Sequence, residues 1–360
     1  MKAEEFHKAM RPVNEACLLA KSGWVCLSNP LVGWGEEGMI RWKLGILLRH
    51  IALVFRCLEK VAAPHILVRE FSSVPLLLVF SFLWPMRKKL LFMLHQNIQW
   101  AAQRKSEHLA LVALSKLGAR WAVLETQDFQ GLEKFNIPSD QNLVLSHPVQ
   151  KSPPAEGCPK GGVGSFLHSP PREGCPKGGV GSPVIGVVGY YRPEKGMDEL
   201  VETLKKMNGG RGTRLPTFGI LLGVPNPEAV RHLDVEVVDT STEEAYRELI
   251  SQCDVLVFNQ RSDGYFYRAS GPIADAAACG TAVVAPDFPM LGKQVAGIGE
   301  VFQSLEKMPE AVHRAVEKMR NGEYDFETYC AARSAQAIAK LLDDFNIEKS
   351  KEAKKELATI

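Results

Sequence analysis

Val184-Ile185-Gly186-Val187-Val188-Gly189-Tyr190-Tyr191-Arg192-Pro193-Glu194-Lys195-Gly196 is the stretch on which the fold turns. Its first five residues read as a short buried strand that ends at Gly189. Beyond Gly196, Met197, Leu200, Val201, Leu204 and Met207 recur at helical spacing until Asn208-Gly209-Gly210 stops the helix. A strand delivered through glycine to a helix N-terminus gathers unpaired backbone N–H groups and the positive end of the helix dipole, an arrangement that attracts phosphate oxygens. Arg192 and Lys195 add two cations at that turn.

The same alternation continues downstream. Phe218 to Leu222, Val235 to Val238, Val255 to Phe258 and Ala282 to Ala285 read as strands, and Ser241-Thr242-Glu243-Glu244 as a capping box opening the helix before Asp254. The segment Ser270-Gly271-Pro272-Ile273-Ala274-Asp275 through Cys279-Gly280 reads as a loop, a short Ala-rich helix with proline in its first turn, and a glycine stop. It offers a second helix N-terminus to an anion. Strands alternating with helices require a parallel, doubly wound α/β sheet.

Upstream, Trp24 to Leu27, His65 to Val68, Leu90 to Leu94, Trp121 to Glu125 and Leu143 to Ser146 read as strands between helices. The chain opens in a helix expected over Glu4 to Lys21, where such a half ordinarily opens with a strand. The expectation is therefore either that the true start lies upstream or that this domain lacks its first strand and presents an open sheet edge. His95, Gln96 and Asn97 follow directly on a strand end, where ligands gather in open parallel sheets, and His95 is the acceptor-side candidate. Glu70 is a further cleft candidate, and His147 a structural residue at the last strand end before the linker.

Together these features resemble the retaining glycosyltransferases of the GT-B fold, group 1 or family 4 type. The match lies in their carboxyl-terminal domain. The resemblance implies two Rossmann-like, doubly wound domains facing across a cleft, and transfer of a hexose-type sugar from a UDP- or GDP-linked donor to a glycan, lipid or small-molecule acceptor, as in cell-envelope or polysaccharide synthesis. It places Arg192 and Lys195 on the donor pyrophosphate, helped by N–H groups near Gly271, with no metal required and no cofactor beyond the donor. The family's first acidic sugar contact falls on Tyr267 and its second on Asp275, which would then accept hydrogen bonds from a ribose; Ser270-Gly271 matches a variant turn found in some members. Gly189, Ser270, Gly271, Asp275, Arg261 and Arg268 are the expected donor-binding set, and Lys195, Arg192 and His95 the catalytic one. A protein of this fold that binds nucleotide or a partner without transfer, a nucleotide-sugar epimerase and a phosphorylase stay open as alternatives.

Composition bounds these readings. With 360 residues and 46% hydrophobic content, the chain has enough apolar material for about two ordinary domains. Its formal charge of +2 speaks for no nucleic-acid partner, but residues 1–150 hold 18 Lys and Arg against 12 Asp and Glu, whereas residues 183–360 hold 21 against 27. A basic half suits peripheral contact with an anionic membrane. Val74 to Trp84 is strongly apolar, too short to span a bilayer, and reads as a buried helix that could graze one. No signal peptide opens the sequence and the cysteines show no zinc spacing, so a reduced, cytoplasmic protein is expected.

Ser152 to Ser165 recurs as Ser169 to Ser182 with changes only at Ala155 and Arg172, a Pro- and Gly-rich duplication with no apolar face to bury. The expected organisation is a first domain at 1–150, a disordered linker at 151–182, a donor-binding domain at 183–345 and a charged tail at 346–360.

Overall fold

The structure is a computed structural model that describes residues 11–27, 39–69, 71–125, 132–137, 142–149, 182–192, 195–209 and 218–345. The chain divides into two compact units. The first holds residues 1–148, 267–269 and 332–360; the second holds 149–266 and 270–331.

In the first unit, five parallel strands, β1 (Trp24–Leu27), β2 (His65–Val68), β3 (Leu90–Leu94), β4 (Trp121–Leu124) and β5 (Asn142–Leu145), lie in the order 1-2-3-4-5. Among the described residues no strand pairs with the outer edge of β1. Because parallel crossovers are right-handed, a sequential order sends every connecting helix to one face. Helices α2 (Met39–Glu59), α3 (Ser73–Leu83), α4 (Asn97–Gln103) and α5 (Lys105–Lys116) do pack side by side, α2 on α3 and α3 on α5. Beneath them, Phe71, Phe80, Phe92 and Trp121 form an aromatic cluster with ring centroids 5.5 to 6.2 Å apart.

The opposite face must be covered by chain that is not a crossover. It is covered from both ends of the sequence: α1 (Arg11–Leu19) contributes Val13, Ala16 and Cys17, and the helix at 335–345 contributes Ile338, Leu342 and Phe345, all packed on Leu67, Leu91, Met93, Leu124 and Leu145. Each such large apolar side chain contributes about 1.5–3 kcal/mol when fully buried, so apolar contact outweighs the hydrogen bonds that Lys21 and Ser22 donate from their backbones to Asp343. The expected boundary at 345 is thereby corrected. Residues 332–345 follow the second unit in sequence but bury their apolar stripe in the first.

The second unit holds six parallel strands: β6 (Val184–Val188), β7 (Gly219–Val224), β8 (Glu236–Asp239), β9 (Val255–Val257), β10 (Ala282–Pro286) and β11 (Gly299–Phe302). Their order, 11-10-9-6-7-8, reverses between β6 and β9. Helices accordingly cover both faces, and a single turn, α8 (Ser262–Tyr265), follows β9. Ile185, Val187, Val255 and Val284 point toward α6 (Met197–Gly209) and α11 (Met308–Arg320); Val188, Leu256, Val283 and Ala285 point toward α7 (Glu243–Gln252), α9 (Gly271–Ala278) and α10 (Pro289–Val295). Strand β11 has no counterpart in the sequence reading, since Gly297 and Gly299 look like turn residues. In the structure Gly299 pairs with Val283 so closely that a side chain there would overlap the Val283 carbonyl.

Candidate active site

Open parallel sheets bind ligands outside the carboxyl ends of their strands, where the strand order reverses. In the second unit that point lies beyond Val188 and Val257, and the Gly189 turn is built on it. Gly189 has φ +117°, a left-handed conformation that side chains resist, and the Lys195 ammonium occupies the space a Cβ would need. The Gly189 N–H donates to the Gly223 carbonyl at 2.9 Å, and the Lys195 N–H to the Arg192 carbonyl at 3.0 Å, closing the turn. Arg192 lies with its guanidinium 5.5 Å from the Tyr190 ring centroid.

A small recess opens there, lined by Val188, Lys195, Met197, Phe258, Asn259 and Gln260. Asn259 Nδ2 donates to the Gly196 carbonyl at 3.0 Å, locking the end of β9 to the start of α6. Gln260 is buried; its Nε2 donates to Ser270 Oγ at 3.0 Å, while its Oε1 has no hydrogen-bond partner. A buried amide oxygen left unpaired costs free energy that a donor on a bound molecule would recover.

Ser270 precedes α9. Its hydroxyl is held by Gln260 and does not cap the helix, and its backbone is clamped by the fully buried Gln294, which accepts from the Ser270 N–H and donates to the Ser270 carbonyl, both at 2.8 Å. Gly271 faces open space. The N-terminus of α9 is thus fixed in place without a side-chain cap, as an anion-binding turn requires.

Other expected donor-side residues are placed differently. Asp275 accepts from the Tyr246 hydroxyl at 3.1 Å, and burial raises its pKa from 3.8 to about 6. Arg261 forms an ion pair with Glu199 of α6. Arg268 belongs with Tyr267 and Ala269 to the first unit, so it is separated from Ser270 and Gly271 in the division of the chain.

In the first unit a second polar group gathers at the carboxyl ends of β3, β4 and β5. Burial, with the charge of Arg268 beside it, pushes His95 down to about 3, so its imidazole is neutral. Asn97 donates to the Phe71 carbonyl at 2.9 Å, and Gln99 accepts from the Tyr267 N–H at 3.0 Å. Glu125, expected as the end of a strand, instead leaves β4 with φ +67°. Its buried carboxylate accepts from the His147 N–H at 2.7 Å and from Arg333 Nη2 at 2.8 Å. His147 is itself buried, directs its ring Nδ1 at the Pro148 carbonyl 3.2 Å away, and is pushed down to about 4 by burial. Glu70 and the repeat at 152–182 up to Gly181 lie outside the described residues.

Sequence reasoning missed Asn259, Gln260, Gln294, Glu125 and Arg333. Uncharged amides carry no spacing signal, and the last two are 208 positions apart in the chain. Among the described residues no group of His, Cys, Asp and Glu is arranged to hold a metal ion.

No family model and no curated protein matches the sequence. Solved structures do match. Sucrose-phosphate synthase from Thermosynechococcus elongatus aligns over 98% of this chain and 93% of its own, with a TM-score of 0.58 at 16% identity. Anabaena HepE in complex with UDP and glucose aligns over 98% and 96%, with a TM-score of 0.53 at 14% identity. A UDP-forming α,α-trehalose-phosphate synthase from Burkholderia vietnamiensis aligns over 98% and 85%, with a TM-score of 0.56 at 12% identity. Two parallel-sheet α/β units in one chain, matched along almost its whole length by these glycosyltransferases, give the protein the GT-B fold.

Proposed function

We propose that the chain is a retaining hexosyltransferase of the family 4 type, taking its sugar from a nucleotide-sugar donor and passing it to a glycan, lipid or small-molecule acceptor. The observation that carries the reading is the convergence of Lys195, Arg192 and the Gly189 turn on the strand-order reversal between β6 and β9. Breaking the sugar–phosphate bond builds negative charge on the leaving diphosphate, and fixed cations and N–H groups aimed at that charge lower the barrier. Lys195 and Arg192 supply the cations, and the N-terminus of α9 at Gly271 the dipole. With that charge met by protein groups, the reaction needs no metal. Retention and the family type rest on the sequence resemblance.

UDP is the favoured donor nucleotide, because HepE is described with UDP and glucose and the trehalose-phosphate synthase as UDP-forming. The Gln260 amide oxygen offers an acceptor for a donor group of the bound nucleotide sugar. Neutral His95 is the acceptor-side residue of this reading. A second reading, binding without transfer, is favoured by one observation: Asp275 is engaged by Tyr246 and Arg261 by Glu199, which leaves the sugar contacts of the resemblance in other hands. The protein acts in the cytoplasm on either reading.

Calorimetry of UDP, GDP and ADP, with and without magnesium, on the intact chain and on Lys195→Ala tests the site. Metal-independent binding of one nucleotide that is lost in the variant supports it; no binding of any overturns it. Release of UDP from UDP-hexose in the presence of an acceptor then separates transfer from binding alone.

A further inference from the structure

Helix α2 has more apolar surface than the core uses. Leu53, Val54 and Cys57 are buried against the first unit, yet Leu44, Leu48, Ile51, Phe55 and Leu58 fall at spacings of three and four on another stripe, exposed along its length. Phe55 is 63% exposed. The neighbouring α3 buries Leu76, Val79, Phe80 and Leu83 and turns Leu78 and Phe82 outward, at 64% and 66% exposure. Since α2 and α3 pack side by side, the two stripes belong to one helical layer, and a soluble surface seldom leaves so many large apolar side chains together.

In sequence, residues 39–89 hold nine Lys and Arg against two acids, Glu59 and Glu70. Arg69 among them is buried, and Glu107 of α5 reaches the start of α3, where it accepts from the Ser73 N–H at 3.2 Å. The turn after α3 carries Trp84, Arg87, Lys88 and Lys89: the Arg87 guanidinium stacks 4.1 Å from the Trp84 ring centroid, and Lys89 Nζ donates to the Val61 carbonyl at 2.9 Å. That last bond ties the basic turn to the end of α2, beside Arg56 and Lys60. Exposed apolar stripes, a tryptophan and long cations at Arg56, Lys60 and Arg87 to Lys89 make up the chemistry of an interfacial helix layer. No helix among the described residues is long and apolar enough to cross a membrane.

We propose that the outer face of α2 and α3 seats on the surface of an anionic lipid bilayer, with the leucine and phenylalanine stripe in the headgroup–acyl boundary and Arg56, Lys60 and Arg87 to Lys89 on lipid phosphates. A second copy of the chain is a poor occupant, because it would set these cations against themselves. The proposal stands apart from the transfer reading, since either can fail without the other.

The test is co-sedimentation of the full chain with phosphatidylcholine vesicles and with vesicles containing phosphatidylglycerol. The intact chain pellets with the anionic vesicles, less at high salt, and not with the neutral ones. Phe55→Ser with Phe82→Ser lowers partitioning by about tenfold or more while leaving the melting temperature unchanged, because both side chains are exposed. Arg87→Glu with Lys88→Glu lowers anionic binding to a similar extent and serves should the first variant fold poorly. Absence of pelleting by the intact chain, or pelleting by both variants at the intact level, overturns the proposal. So does a dimer of the intact chain that the first variant dissolves, which would assign the face to a second copy. UDP binding by the variants is measured alongside and is expected to stay at the intact level.

Discussion

Lys195 is the residue whose sequence context and tertiary setting agree most closely. The sequence puts it two positions before a helix start, and the fold lays its ammonium against Gly189 at a strand-order reversal. Removing one such fixed charge from a leaving group costs about 100- to 1,000-fold in kcat, so Lys195→Ala is expected to lose that much turnover with an unchanged circular-dichroism spectrum. Gly189→Ala tests the turn itself. A side chain at φ +117°, in the volume Lys195 occupies, should cost about 1–3 kcal/mol in denaturant unfolding and weaken nucleotide binding together with it. These positions stand out in the sequence because glycine and charge leave marks there. Gln260 left none: its candidacy comes from burial, an unpaired oxygen and a neighbour ten positions away, all products of folding.

At the scale of elements, the short helix α9 carries a titration. Asp275 is ordinary at 3.8 in an unfolded chain and raised by burial to about 6 in the folded one, so the folded state holds its proton longer. The stability this confers is fully present below 3.8 and is lost as pH rises through about 6. Asp275→Asn is therefore expected to flatten the fall in melting temperature over that window, and an unchanged profile would show that Tyr246 alone satisfies the carboxylate. The histidines at the ends of β3 and β5 run the other way. His95 and His147 are depressed to about 3 and about 4, so their contribution is present above 6.5 and lost as pH falls toward those values. Their ring-proton NMR signals should stay flat where an ordinary histidine titrates near 6.5. Strand and helix periodicity made most of these elements readable, since strand ends predicted from the sequence lie within two residues of those observed. Strand β11 was unreadable because its pairing requires glycine at 299 for close backbone approach, and glycine in a sequence reads as a turn.

At the scale of the whole molecule, the helix at 335–345 is a structural part of the first unit. Ile338 and Leu342 are fully buried in the core of the first unit, and the nearly buried Arg333 pairs with Glu125 at 2.8 Å. A buried ion pair adds little net stability, but losing one partner costs about 3–5 kcal/mol. Leu342→Asp should accordingly unfold the first unit, read as lost hydrogen-exchange protection in β2 and β3, while β6 and β9 keep theirs. Deleting residues 152–167, one copy of the duplication, is expected to leave melting temperature and activity nearly unchanged, because loop closure costs grow slowly with length.

Local chemistry was enough to decide the α/β class, the two-unit organisation and the glycine turn at Gly189, because strand and helix periodicity, glycine breaks and paired cations act over a few residues. Strand order needed the tertiary structure, since sequence periodicity gives each strand a face but not a neighbour. Only that order shows the first sheet running 1-2-3-4-5, which leaves one face for the two chain ends to cover, and the second reversing beside Lys195. Which apolar residues would be left outside was decided there too: Phe55 and Leu53 are alike in a sequence, and packing alone buried one and exposed the other.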